Sequence, residues 1–167
     1  MLIILVILKR GTSMNKRGIV PNPNSLWMKF LVVWYGIYQA SHVIVNLLYF
    51  LIPDISFPPP PPDDWSPQIV HFFTGMAATD LINAVLTLVF VYGYFKKARW
   101  SMWLGTLTLT ISMYAAIVFT YGTIASGAWT GNLYGYLWFY IPFVPVVILF
   151  VVFSIWGVHG KFLDNNA

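Results

Sequence analysis

Asp80 is the residue whose position asks for an explanation. It stands inside Ile69 to Phe95, a stretch apolar and long enough to cross a bilayer. An ionised carboxylate in hydrocarbon costs several kcal/mol unless it is paired, neutralised or hydrated. All five acids of the chain are Asp, at 54, 63, 64, 80 and 164, and Asp80 alone lies in an apolar span. The preceding apolar stretch, Leu26 to Ile52, carries Gln39, His42 and Asn46 at helical spacing. They share one face, and Tyr35 and Tyr49 extend that stripe. Asn83 follows Asp80 by one turn. A carboxylate facing an imidazole can exchange a proton, anchor the polar group of a ligand, or only fasten two helices. Contact favours imidazolium with carboxylate, and desolvation favours the neutral forms.

The elements that must position these groups are membrane helices. The chain has 167 residues, 59% hydrophobic and 8% charged, with a mean hydropathy of +0.73, and reads as one all-α integral membrane domain. The absence of cysteine excludes disulfides, thiolate nucleophiles and thiolate–metal sites. The net charge of +4 does not point to nucleic acid, because the basic residues flank apolar segments.

Four transmembrane helices are expected, at about 26–52, 69–95, 100–125 and 134–158. Residues 1–25 form an N-terminal segment. Its run from Met1 to Leu8 is too short to span a bilayer, and Met14 opens MNKRG, a more ordinary start for such a protein. Ser25 is the candidate N-cap of the first helix and Pro53 helps end it. The run PPPPPDDW that ends at Trp65 is a stiff polyproline II connector with an interfacial Trp. Lys96-Lys97-Ala98-Arg99 is a tight basic loop, followed by Trp100 and Trp103 at the interface. Thr106, Thr108, Thr110, Ser112 and Thr120 can bond to carbonyls of their own helix and do not read as one site. Ser126 to Leu133 reads as a turn. Pro142 and Pro145 should bend the fourth helix and free carbonyls. Residues 161–167 are a polar tail.

Lys16 and Arg17 precede the first helix and Lys29 stands at its start, Lys96, Lys97 and Arg99 fill the second loop, and Lys161 follows the fourth. The first loop carries only acids. The positive-inside rule then gives an up-down bundle with both termini cytoplasmic. His42 lies ten residues from the outer end of its helix and Asp80 eleven from the outer start of the next, about 15 and 16 Å deep. Gln39 and Asn83 match one turn deeper. A polar layer of His42, Asp80, Gln39 and Asn83 is therefore expected between the first two helices. His71 lies about 13 Å from Asp80 along the axis, too far for a shared metal ion, so no metal or other cofactor is assigned.

Several runs resemble the emopamil-binding (EXPERA) family, whose members include sterol isomerases and four-helix proteins of the sigma-2-receptor type. They are Tyr38-Gln39-Ala40-Ser41-His42-Val43, the Pro-rich Trp-containing loop, the acid at Asp80, the Lys/Trp loop from Phe95 to Trp100, and the run from Tyr136 to Pro142-Phe143. The resemblance covers most of the chain from Leu26 onward. It implies four helices around a cavity that takes a sterol-like or drug-like ligand, with Asp80 at the polar end. Two departures matter. A second acid of the receptor type is replaced by Phe50, which weakens the case for cationic amines. The Glu residues of the isomerases have no counterpart, because the chain has no Glu.

Three functions follow as expectations. The first is a multi-pass membrane protein that binds a membrane lipid or other small apolar, sterol-like ligand through Asp80, His42, Gln39, Asn46, Asn83 and Tyr49. The second is an accessory subunit, with a second copy or a larger membrane complex as its partner. The third is an isomerase in which His42 and Asp80 supply acid and base; no residue is assigned a catalytic role on the sequence alone.

Overall fold

The computed structural model describes residues 22–52 and 64–158. The apolar start at Met1 and Met14, the polyproline run and the polar tail lie outside the described residues. Five helices carry the described chain: α1 (Leu26–Leu51), α2 (Pro67–Phe95), α3 (Arg99–Ala125), α4 (Ala128–Tyr140) and α5 (Val144–Val158). Three are long and apolar enough to cross a membrane, and α4 with α5 make a fourth span if the bent pair is counted as one.

The helix ends follow local chemistry. Ser25 caps α1 by accepting from the Met28 amide at 3.3 Å. Ser66 does the same for α2 through Ile69, with Pro67 in the first turn, where its missing N–H costs nothing. The helix therefore begins at Pro67 rather than at 69. At the other end of α2 the chain reverses through Lys97, which sits at φ 54, and the Ala98 amide donates back to the Gly93 carbonyl at 2.9 Å.

Cross-helix contacts fix the directions. As α1 advances from Tyr35 through His42 to Tyr49, its hydrogen-bond partners on α2 recede from Thr87 through Asp80 to Thr74. The two helices are antiparallel. Likewise Phe73, Asn83 and Phe90 of α2 meet Phe119, Ser112 and Gly105 of α3. Gly93 and Gly105 permit the closest approaches. A Cβ on Gly93 would come within 2.4 Å of the Trp100 ring, and one on Gly105 within 2.5 Å of Phe90 and 2.7 Å of Phe153.

The bundle has a packed half and a hollow half. Met28, Leu31, Val32, Tyr35, Phe90, Leu109, Val146, Leu149, Phe153 and Trp156, all buried, form one cluster that fills the first at the level of α5. The second half contains the far ends of α1 and α2, the latter part of α3, and α4. Large apolar side chains such as Ile37, Ile44, Ile82, Trp103 and Ile117 stand exposed around the outside. Such a surface suits acyl chains rather than water.

The fourth expected helix is two helices. α4 and α5 are bent by 53°. Pro142 and Pro145 cannot donate to the carbonyls one turn back, so the chain passes through a turn at 141–143 before resuming. The segment read as a turn up to Leu133 is also partly helical, since α4 begins at Ala128. Asn132 interrupts it with φ −149 and ψ 50. Its side-chain oxygen accepts from the Gly135 amide at 3.1 Å and restarts the helix close to the expected residue 134. Gly135 leaves room for that cap, because a Cβ there would lie 2.4 Å from Asn132 Oδ1.

Candidate functional site

Helical spacing puts His42 and Asn46 one turn apart on α1, and both reach the same atom. His42 Nδ1 lies 2.5 Å from Asp80 Oδ2, and Asn46 Nδ2 donates to that oxygen at 2.9 Å. The proton between His42 and Asp80 is held on that side of the carboxyl group whichever partner carries it. Asp80 Oδ1 has no hydrogen-bond partner among the described residues and is not sealed from open space. The His42 ring is held in place by Tyr38, whose ring centroid is 4.5 Å away. The His42 and Asp80 side chains keep 33% and 19% of their accessible surface, so the pair borders a space rather than a sealed core.

That space is a cavity of about 520 Å³ in the hollow half. α1 lines it from Trp34 to Tyr49, α2 from Phe73 to Asp80, and α3 from Ser112 to Phe119. Trp138, Phe139, Tyr140, Pro142 and Phe143 close it from the helix break. Aromatic and aliphatic groups dominate the wall. On α2 and α3 the lining stops at Asp80 and Ser112, so the polar groups stand where the cavity meets the packed half.

The break is what leaves the cavity open. α5 packs against α1, and the Trp34 indole donates to the Pro142 carbonyl at 2.8 Å, one of the acceptors left over by the interrupted helix. α4, turned by the bend, is held to α3 instead. Tyr140 pairs with Thr120 at 2.6 Å, and the Trp129 indole donates to Thr123 at 2.9 Å.

A second polar cluster lies deeper, and it corrects the expected single layer. Gln39 and Asn83 do not join His42 and Asp80. Their amide groups both donate to Ser112 Oγ of α3, at 2.9 and 3.0 Å. Tyr35 pairs with the same hydroxyl at 2.8 Å, and Thr87 lies 3.2 Å from the Tyr35 hydroxyl. Both amide oxygens, Gln39 Oε1 and Asn83 Oδ1, are buried without a partner among the described residues. Gln39 touches the cavity wall, whereas Asn83 does not. Tyr49 lines the cavity with its hydroxyl 3.0 Å from Thr74 Oγ1.

His71 stands apart from this site. It lines a second groove of about 400 Å³ between α2 and α3, together with Gly75, Thr79, Tyr114 and Asp80, which borders both spaces. Sequence reasoning set Ser112 among residues that form no single site, met Tyr38 and the aromatic run of α4 only as runs of the family resemblance, and did not single out Trp34. One signal for Ser112 was available: it lies twelve residues into α3 from Trp100, and Asn83 lies twelve before Phe95, which puts both at one depth. Comparison with protein-family models, with curated proteins and with solved structures finds no match for this chain.

Proposed function

We propose that the chain is a membrane-embedded binding protein for a small apolar lipid of sterol-like size, held in the cavity with its polar group at Asp80. The observation that carries this reading is the cavity itself. Its volume of about 520 Å³ falls within the ~300–1,000 Å³ typical of small-molecule sites, its wall is mostly apolar, and its few polar groups converge from three helices. In this reading the protein is an up-down bundle of four spans with both termini cytoplasmic. The described cations agree: Lys29, Lys96, Lys97 and Arg99 all lie at the end where Tyr94 donates to the Pro23 carbonyl. The emopamil-binding resemblance supports the same ligand class.

The test is equilibrium binding of radiolabelled cholestanol to the protein in nanodiscs. Ala77 and Ala116 line the cavity from α2 and α3. Ala116→Phe should occupy it and lower cholestanol affinity at least ten-fold while the protein still elutes as a folded species. Saturable binding that Ala116→Phe and Ala77→Phe both leave unchanged would place the ligand elsewhere.

An acid–base reading draws on one further observation. The second ring nitrogen of His42 makes no hydrogen bond among the described residues and is open to the cavity. Turnover of an unsaturated sterol that is lost in His42→Ala but kept in Asn46→Ala would favour it.

A further inference from the structure

We propose that this site selects its ligand by hydrogen-bond polarity: it takes an alcohol whose hydroxyl donates to Asp80 Oδ1, and it rejects the ketone or ester of the same skeleton. The inference rests on the cavity reading and specifies its ligand class.

The inventory of polar atoms around the cavity carries it. The two donors nearest the carboxyl group, from His42 and Asn46, are both spent on Oδ2. Oδ1 is then an acceptor in either protonation arrangement, because the proton of the pair lies on the Oδ2 side. Asn46 has turned its NH₂ toward Asp80, which leaves its carbonyl and its second N–H free. Thr74 commits its hydroxyl proton to the Val70 carbonyl, so Tyr49 must donate to Thr74 and keeps only lone pairs. Thr120 commits its proton to the Ala116 carbonyl, which leaves the Tyr140 oxygen in the same state. The Trp34 indole proton is already given to Pro142. Free donors on the wall, the Tyr38 hydroxyl and the second Asn46 N–H among them, are directed elsewhere than Oδ1, which receives no hydrogen bond among the described residues; the acceptor character is local to that oxygen. A carbonyl ligand would bring another acceptor to Oδ1 and leave both unpaired in a low-dielectric space. Amine ligands are the weaker fit, because His42 and Asn46 already occupy Oδ2 and a single oxygen remains for an ammonium group.

The same geometry predicts an inversion. In Asp80→Asn the two α1 donors hold the amide oxygen at the Oδ2 position. The amide NH₂ is then forced into the place of Oδ1, and an acceptor becomes a donor.

The experiment compares cholestanol with cholestanone, and tetradecanol with 2-tetradecanone, by displacement of radiolabelled cholestanol or tetradecanol and by thermal shift in nanodiscs. Wild type should favour the alcohol of each binding pair by about ten-fold or more, and Asp80→Asn should favour the ketone. Equal affinities in wild type overturn the proposal without any variant. Retention of the alcohol preference in folded Asp80→Asn overturns it as well. If neither skeleton binds, the cavity reading fails and this inference falls with it. Gly75→Leu checks the location. A Cβ at Gly75 meets nothing within 4 Å, so the larger side chain occupies the second groove. Unchanged selectivity supports the main cavity, and loss of binding there overturns the assignment.

Discussion

At the scale of single residues, Asp80 is held by geometry that would be expensive to undo. Two donors from α1 converge on one oxygen, so removing the carboxyl group strands both in a partly dry environment. Asp80→Ala should destabilise the fold by about 1–3 kcal/mol, and Asp80→Asn by clearly less, since an amide oxygen still serves both donors. Reversible unfolding in mixed micelles measures the difference; equal losses would show that the donors find other partners. Ser112 is the corresponding point of the deeper cluster. It receives two amide groups and pairs with Tyr35, so Ser112→Ala should cost about 1–3 kcal/mol although it removes one oxygen atom. Ser112→Thr, which keeps the hydroxyl, should recover part of that.

The residue scale is also where the sequence was most and least informative. His42, Asn46 and Asp80 were legible because a charged or amide group in an apolar helix has few bland explanations, and because consecutive helices tend to pack side by side. Ser112 was hidden by its own versatility. A serine can satisfy itself on its helix's carbonyls, and α3 has five threonines that do this, among them Thr106 and Thr110. Nothing in the residue type separates the hydroxyl that faces Gln39 and Asn83 from those that turn inward on their own turn.

At the scale of elements, the two proline residues announced a bend in the fourth span, and the helix starts near Leu26, Pro67 and Arg99 followed capping and loop chemistry. The size of the bend was not legible, because it is set by tertiary contacts: Trp34 takes the freed carbonyl on one side and Thr120 holds Tyr140 on the other. Trp34→Phe removes the first of these while keeping the ring. It should loosen the break and lower the melting temperature, with the largest gain in amide exchange at the end of α4. The tight reversal after α2 supplies a test of opposite sign. Lys97 occupies a left-handed conformation that glycine adopts without strain, so Lys97→Gly should stabilise the protein by about 1 kcal/mol. A neutral or negative result in thermal unfolding would mean that the lysine side chain contributes something the backbone account omits.

At the scale of the whole molecule, the proposed binding function would leave stability to the packed half and the ligand to the hollow one. Gly105 sits where α2, α3 and α5 converge, with Phe90 and Phe153 laid over it. Gly105→Val should push those rings apart, cost roughly 1–3 kcal/mol and lower expression, and leave ligand affinity unchanged in whatever protein remains folded. A substitution of similar volume in the hollow half, such as Ala116→Phe, should do the reverse. Stability and binding are then separable by position along the bundle axis.

The offset between the two ends of this molecule has one more consequence. A cavity at one end means that the far turns of α1, α2 and α4 lean on fewer protein neighbours, so they should breathe more readily than the ends stitched together by Trp156 and Met28. Any guest that settles in the chamber would quiet that motion, and the quieting would be felt on the outward faces of those helices. A neighbouring protein in the bilayer could then sense whether the chamber is full without ever touching its contents.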